Sequence, residues 1–258
     1  MIAQVNTPRQ RQRFLNACRG KLCCGATLPL ALQLLGKAQP GRFFAGPTLA
    51  LDIGGRTAWA AGHANPEELA SFLNFCGCRA VILDEAECPP PVGWQKTCDH
   101  TIFGLAAGEQ LPLPAQTEAQ KALWDSLTFV EDPASGPVAE NLFPDRPARR
   151  DDFYSELCTK RSRGKALVWT LEQGGNIVCT VGAYALCNGQ AYMACGQTAE
   201  ALRGQRVGGR LIVQMANALS AQGNQPVFCS PERVHFYTQL GFHPLGTLAR
   251  YESPIGKD

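Results

Sequence analysis

The stretch from Thr198 to Ile212 reads TAEALRGQRVGGRLI and follows a short apolar run at residues 191–197. Apolar side chains then recur at the spacing of one helix face, at Val207, Leu211, Ile212, Met215 and Leu219. This pattern predicts a strand, a turn that contains glycine, and an amphipathic helix. Three glycines in and after the turn lack a Cβ, which lets a ligand approach the backbone closely: Gly204, Gly208 and Gly209.

The start of the predicted helix is suited to an anion. The first amides of a helix have no intrahelical acceptor and lie at the positive end of its dipole. Arg203, Arg206 and Arg210 add positive charge around the same end. The stretch therefore predicts a turn that binds phosphate.

The spacing of the glycines in this turn distinguishes between the known types of phosphate-binding loop. A P-loop ends in Gly-Lys-Ser/Thr, which does not occur after Gly209, and the glycines do not have the spacing of a dinucleotide fingerprint. The run RGQRVG at 203–208 instead resembles Arg/Gln-x-x-Gly-x-Gly/Ala, the pyrophosphate-binding loop of the GNAT superfamily of N-acetyltransferases. Arg206 stands where the first glycine of that pattern is commonest.

A second motif of the same superfamily follows downstream. Residues 226–229 read as a strand, and Ser230-Pro231 as the cap and first residue of a helix that runs from Glu232 to Leu240. The run FYTQLGF at 236–242 resembles the Phe-Tyr-x-x-x-Gly-Phe signature that closes the acetyl-CoA site in this superfamily. The resemblance is good over residues 166–252 and weak over 117–165.

The resemblance implies a fold, a co-substrate and a set of contacts. The fold is of α/β (α+β) type, a mixed, mostly antiparallel sheet flanked by helices, and the co-substrate is acetyl-CoA. The backbone of Gly196, Gln197 and Thr198 takes the role of pairing with the pantetheine arm. Ser230 stands where the superfamily often has a coenzyme-contacting asparagine. The amides implied to hold the pyrophosphate are those of Arg203, Gly204, Gln205, Arg206, Val207, Gly208 and Gly209.

The implied reaction is transfer of an acetyl group to an amine. Tyr237 holds the position of the superfamily's tyrosine acid, which protonates the leaving thiolate. No cysteine stands where a covalent intermediate is expected, so direct attack in a ternary complex is the expected route. A general base is not assigned, because Glu172, Glu156, Asp152 and a chain of water molecules all remain candidates.

Two other functions remain open from the sequence. The missing base and the atypical N-terminal half also fit a non-catalytic protein that binds acyl-CoA as a structural or sensory ligand. A third alternative is a cleft between the two halves that binds a peptide or protein partner, with acetylation at the floor of the cleft. The sequence does not predict the class of acceptor amine, because the loops that determine it, such as 132–147, carry no motif. It does not predict the oligomeric state either.

Composition limits the remaining classes of function. A net charge of +2 over 258 residues gives no support for a nucleic-acid partner. No apolar run is long enough to span a membrane and no signal-peptide core occurs, which predicts a cytoplasmic protein. The twelve cysteines lack the spacing of a zinc site, so the sequence predicts reduced structural thiols and no metal.

The N-terminal half shows a weaker version of the same order of elements. Capped helices at Thr7 and Asn65, a helix from Thr27, a hairpin turn at Gly54-Gly55 and a strand at 79–84 predict a smaller α/β domain. Our hypothesis is that this half is a degenerate relative of the C-terminal half. The proline-rich run at 111–114 places the predicted boundary between domains 1–115 and 116–258, and 132–147 is predicted to be a long surface loop.

Overall fold

The computed structural model describes residues 1–230 and 233–254, without the side chain of Cys195. The chain divides into two compact units. The first unit takes Met1–Phe103 together with the described parts of 229–234 and 244–258, and the second takes Gly104–Phe228 and His235–His243. The units are therefore interleaved along the chain, whereas the predicted division at residue 115 keeps each half contiguous. The boundary between domains 1–115 and 116–258 stays a prediction.

The elements follow one another in a mixed order of strands and helices. The strands are β1 (Ala3–Gln4), β2 (Phe43–Ala45), β3 (Thr48–Gly54), β4 (Thr57–His63), β5 (Ala80–Leu83), β6 (Gln95–Gly104), β7 (Thr128–Val130), β8 (Leu167–Gln173), β9 (Asn176–Cys187), β10 (Gln190–Thr198), β11 (Gln225–Ser230) and β12 (His243–Glu252). The helices are α1 (Pro8–Cys18), α2 (Cys24–Leu35), α3 (Pro66–Phe75), α4 (Glu118–Asp125), α5 (Ser135–Leu142), α6 (Pro147–Arg161), α7 (Val207–Ala221) and α8 (Val234–Gln239).

The first unit contains a sheet with strand order β1-β2-β3-β4-β5-β12-β6. Strands β4 and β5 run parallel, whereas β12 pairs antiparallel with β5, with Ala249 opposite Leu83. The last strand of the chain is thus inserted between β5 and β6. Helix α1 begins with a capping box at Thr7, and Asn65 caps α3, as the sequence predicts.

The second unit contains the sheet β11-β10-β9-β8-β7, antiparallel except for the pair β10–β11. The turns at Gly174-Gly175 and Asn188-Gly189 join β8 to β9 and β9 to β10, and all four residues have positive φ, which suits two-residue hairpins. Helix α7 buries Val207, Leu211, Met215 and Leu219 completely. Ile212, the fifth residue of the predicted apolar face, is only half-buried, so four of the five predicted positions are confirmed.

The same arrangement occurs once in each unit. A hairpin (β3–β4) is followed by α3 and by β5, which pairs parallel with β4 over Thr57–Trp59. The hairpin β9–β10 is likewise followed by α7 and by β11, which pairs parallel with β10 over Gln190–Tyr192. The predicted relationship between the two halves is confirmed at the level of the fold.

Several elements differ from the sequence prediction. The predicted loop at 132–147 contains α5, whose Val138 and Ala139 are buried. Its single internal proline, Pro137, lies in the first helical turn, where no backbone N–H is needed. The sequence pattern predicts neither β6 nor β12 as a strand, because β6 begins with an exposed polar run and β12 contains proline and glycine.

The irregular segment after β6 is attached to α7 by side chains of that helix. Asn217 bonds both backbone groups of Leu111, accepting its N–H at 2.8 Å and donating to its carbonyl at 2.8 Å. Buried Ser220 donates to the carbonyls of Ala106 and Glu109 at 2.9 and 2.6 Å. Hydrogen bonds rather than regular pairing therefore order the segment.

We expect Asn217→Ala to lower the free energy of unfolding by about 1–3 kcal/mol, because two partly buried groups of Leu111 lose their partners. Denaturant unfolding of both proteins measures the loss. The control is Gln214→Ala on the same helix, because the Gln214 side chain has no hydrogen bond to any described residue. Equal stability of wild type and Asn217→Ala would contradict the attachment.

Within residues 1–230 and 233–254, no helix is long and apolar enough to cross a membrane.

Candidate functional site

The start of α7 presents backbone amides without acceptors. In the described part of the chain, no acceptor lies within hydrogen-bonding distance of the N–H groups of Val207, Gly208 and Gly209, and the first helical bond is Arg210 N–H to the carbonyl of Arg206. The amides of Gly204 and Arg206 also have no described acceptor. Such unpaired donors at a helix N-terminus are suited to an anion.

Two of the amides predicted to hold the pyrophosphate already donate hydrogen bonds within the protein. The N–H of Arg203 donates to the carbonyl of Glu200 at 3.1 Å, and that of Gln205 donates to Leu202 at 3.3 Å. The first bond closes the short 3₁₀ turn at Glu200–Leu202, and the second closes a further turn from Leu202 to Gln205. The set of amides free for an anion is thus narrower than the sequence predicts.

Arg206 adopts a left-handed conformation, with φ 62° and ψ 5°. This conformation explains why a glycine would suit the position, because a Cβ is disfavoured there. The Arg206 side chain extends away from the amides, and its guanidinium donates a hydrogen bond to the carbonyl of Ala115. The amide of Arg206 has no acceptor among the described residues.

We expect Arg206→Gly to stabilise the protein. The left-handed conformation costs roughly 1–2 kcal/mol with a Cβ, which exceeds the roughly 0.4–1 kcal/mol that glycine adds to unfolded-chain entropy. The expected net gain is about 0.5–1 kcal/mol, measured by denaturant unfolding. Arg206→Ala is the matched control, since it also removes the bond to Ala115 but keeps the Cβ. A gain in Arg206→Ala as large as in Arg206→Gly would refute a conformational origin.

Two glycines at the start of α7 are required by close packing. A Cβ on Gly208 would lie well inside van der Waals contact of Thr198 Oγ1, at the end of β10. A Cβ on Gly209 would lie 2.9 Å from Cδ2 of Leu240, which follows α8. These contacts bring the end of β10 and the end of α8 against the start of α7.

The three predicted arginines each have a neutral partner. Arg203 Nε donates to the carbonyl of Thr198 at 3.3 Å, and the Arg210 guanidinium lies 5.1 Å from the ring centroid of Trp124. Arg206 bonds Ala115, as described above. No carboxylate of residues 1–230 or 233–254 lies within 4.0 Å of these guanidinium groups. Their positive charge near the turn is therefore not neutralised by an ion pair.

Strands β10 and β11 separate beside the turn. They pair only from Gln190 to Tyr192, opposite Gln225 to Val227. From Met193 to Thr198, β10 pairs with β9 through two register shifts, and no described residue of β11 pairs with it. The segment that includes Gly196, Gln197 and Thr198 thus has one strand edge without a β11 partner, which can bond an extended ligand.

Tyr237 lies in α8 within a group of aromatic rings. Its half-buried ring is 4.3 Å from the ring centroid of Phe228 and 6.4 Å from that of Phe242, which also contact each other at 4.9 Å. The helix ends before Gly241, whose φ of 92° fits the predicted helix stop. The aromatic contacts fix the orientation of the Tyr237 ring.

Ser230 is buried, and its Oγ accepts the N–H of Arg233 at 3.3 Å. This bond is the one expected of a capping serine. Pro231 and Glu232, predicted to begin the helix, lie outside the described residues. Ser230 belongs to the first unit.

Three carboxylates are candidates for the general base: Glu156, Asp152 and Glu172. Glu156 forms an ion pair with Lys160 at 2.5 Å, and Asp152 is exposed on α6. Glu172 lies near the turn of the β8–β9 hairpin, opposite Thr128 of β7. The described residues also contain no group of three His, Cys, Asp or Glu side chains that could hold a metal ion.

The equivalent helix start in the first unit is unsuited to phosphate. Asn65 Oδ1 accepts the N–H of Glu68 at 2.9 Å, and Pro66 has no N–H to offer. Glu67 and Glu68 place two acidic side chains in the first turn of α3. A protein side chain thus caps this helix, and its charge repels an anion.

Comparison with solved structures agrees with this geometry. A tandem GNAT protein from the clavulanic acid biosynthesis pathway aligns over 100% of this chain and 99% of its own, with a TM-score of 0.63 and 13% identity. The chain has a GNAT fold in two copies. A GCN5-related N-acetyltransferase from Sphaerobacter thermophilus aligns over 97% of this chain and 94% of its own, with a TM-score of 0.63 and 13% identity. One from Kribbella flavida aligns over 90% and 96%, with a TM-score of 0.60 and 16% identity.

No model of a known protein family matches the chain, and no curated protein is similar to it at a significant level. The GNAT fold therefore rests on structure, and it confirms the predicted mixed, mostly antiparallel sheet flanked by helices. The unpaired amides and the separated strands belong to the second GNAT-like half.

Proposed function

We propose that this protein is an acetyl-CoA-dependent N-acetyltransferase that transfers an acetyl group to an amine by direct attack. The observation that supports this most strongly is the set of unpaired amides at Val207, Gly208 and Gly209, beside the strand edge at 193–198. Oxygens of a diphosphate are the natural acceptors for such donors. An extended amide-containing arm is a suitable partner for the open strand edge.

Different segments of the chain would hold different parts of acetyl-CoA. The amides of Gly204 and of Arg206 to Gly209 would hold the diphosphate, with the unneutralised arginines attracting it. The backbone of Gly196 to Thr198 would hold the pantetheine arm. Bound acetyl-CoA supplies the thioester whose acetyl group is transferred.

Tyr237 is the proposed proton donor. Its phenolic hydroxyl is a hydrogen-bond donor and can give a proton to a thiolate formed next to it. The rings of Phe228 and Phe242 hold the side chain in one orientation. The attacking amine must be neutral, and water would remove its proton, since Glu156 is in an ion pair and Asp152 is exposed on α6.

Calorimetric titration of the full chain with CoA and with pantetheine tests the binding step. Pantetheine lacks the diphosphate and the adenosine part of CoA, so its affinity should be lower by at least about 100-fold, the effect of two charge-assisted hydrogen bonds alone. Thiol release from acetyl-CoA is then measured with a panel of amines, peptides and aminoglycosides. Failure of CoA to bind at millimolar concentration would reject the proposal.

A second candidate is a protein that binds acyl-CoA without catalysis. The surroundings of Glu156 and Asp152 favour it, because neither is held as a base beside the turn. It predicts calorimetric binding of CoA with no thiol release for any amine. Turnover with one amine above the rate of hydrolysis excludes it.

A further inference from the structure

Strand β6 carries a thiol and an imidazole in contact. Cys98 and His100 are two residues apart, and side chains at this spacing on a strand share one face. Cys98 Sγ lies 3.4 Å from His100 Nε2, within hydrogen-bonding distance for sulfur. Both residues are half-buried, so the pair is accessible from solvent.

The surroundings favour the neutral form of the His100 ring. Burial, and after it the positive charge of Arg250, lower the pKa of His100, while the nearby Asp99 acts in the opposite direction. The Asp99 carboxylate is itself paired with Lys96 at 2.7 Å. A neutral ring with its proton on Nδ1 offers Nε2 as an acceptor for the thiol proton.

Other cysteines have surroundings that suppress reactivity. Burial raises the pKa of the Cys24 thiol to about 12 and that of Cys78 to about 11. Cys76 is half-buried like Cys98, but its side chain has no hydrogen bond to any described residue, and burial raises its pKa. Cys76 is therefore a natural internal control for Cys98.

We propose that Cys98 is a nucleophile toward small thioesters, with His100 as its proton acceptor. Cys98 Sγ bonds to the acyl carbonyl carbon, and His100 Nε2 takes the thiol proton. The carbon–sulfur bond of the donor breaks, and the same proton leaves on the departing thiol. The product is S-acyl-Cys98, formed without oxidant or reductant, because one thioester replaces another.

This site is independent of the proposed N-acetyltransferase activity. It uses neither the amides of α7 nor Tyr237, so a thioester without a diphosphate is sufficient. S-acetyl-N-acetylcysteamine is such a donor. Its reaction at Cys98 is expected whether or not CoA binds elsewhere on the chain.

The test incubates the full chain with S-acetyl-N-acetylcysteamine and maps acetylated cysteines by mass spectrometry, with hydroxylamine release as proof of a thioester. Cys98 should be acetylated at least about 10-fold faster than Cys76, because a positioned base contributes at least about 10²-fold in other enzymes. His100→Gln should reduce the Cys98 rate to near that of Cys76, and Cys98→Ser should remove the label from that peptide.

The amount of each thiol and the fold of each variant are controlled separately. Iodoacetamide labelling after unfolding gives the total of each thiol, and thermal unfolding compares the fold of each variant with wild type. Acetylation of Cys98 no faster than Cys76 in the wild type overturns the proposal without any variant. An unchanged Cys98 rate in folded His100→Gln overturns it as well.

Discussion

Replacing Tyr237 by phenylalanine is expected to lower kcat by about 10²–10⁴-fold, the usual contribution of a general acid. The substitution removes only the hydroxyl, so the ring contacts with Phe228 and Phe242 remain. The affinity for CoA should therefore change little. Steady-state kinetics with the best amine of the panel, together with calorimetry, measures the two effects separately.

A control for this prediction lies next to Tyr237 in the chain. Phe236 is exposed to 36% and contacts the Tyr237 ring at 5.1 Å, so Phe236→Leu tests the effect of altered packing alone. It should keep kcat within a few-fold of wild type. A wild-type kcat in Tyr237→Phe would remove Tyr237 from the reaction and leave it a packing role.

Gly208→Ala is expected to weaken CoA binding by about 10–100-fold, which corresponds to about 1.4–2.8 kcal/mol. The new Cβ overlaps Thr198 Oγ1, so either the Thr198 side chain rotates or the end of β10 moves away from the start of α7. The proposed diphosphate and pantetheine contacts lie on those two segments and would lose their alignment. Calorimetric titration with CoA measures the loss.

A double-mutant cycle separates this overlap from other effects of the alanine. Thr198→Ala removes the overlapping oxygen, and the proposed role of Thr198 uses its backbone, so the single variant should bind CoA almost as well as wild type. Thr198→Ala/Gly208→Ala should then recover most of the lost affinity. If the double variant binds as weakly as Gly208→Ala, the overlap with Thr198 is not the cause.

Sequence and structure agree best where local chemistry decides the conformation. The hairpin at Asn188-Gly189 needs two positive φ angles, which these residues accept readily. Thr7 and Asn65 cap their helices as their side chains predict. The face of α7 follows from helical periodicity alone.

Elements held by distant partners were not predictable from local pattern. Strand β12 contains Pro244 and Gly246, and it is a strand because β5 and β6 flank it in the sheet. Helix α5 lies in a proline-rich region and is stabilised by burial of Val138 against Leu157, Val168 and Tyr184. Tertiary packing outweighs weak local preference in both cases.

By itself, the sequence determined the turn–helix at residues 203–221 and its resemblance to the GNAT loop, because glycine spacing and helical periodicity are local properties. Only the tertiary structure decided which amides stay unpaired, that Arg206 is left-handed, and that Cys98 meets His100. Those features depend on how Glu200–Leu202 closes its turn, how β10 separates from β11, and which rotamers the folded chain selects. The physical reason is that hydrogen-bond satisfaction and close packing depend on neighbours brought together only by folding.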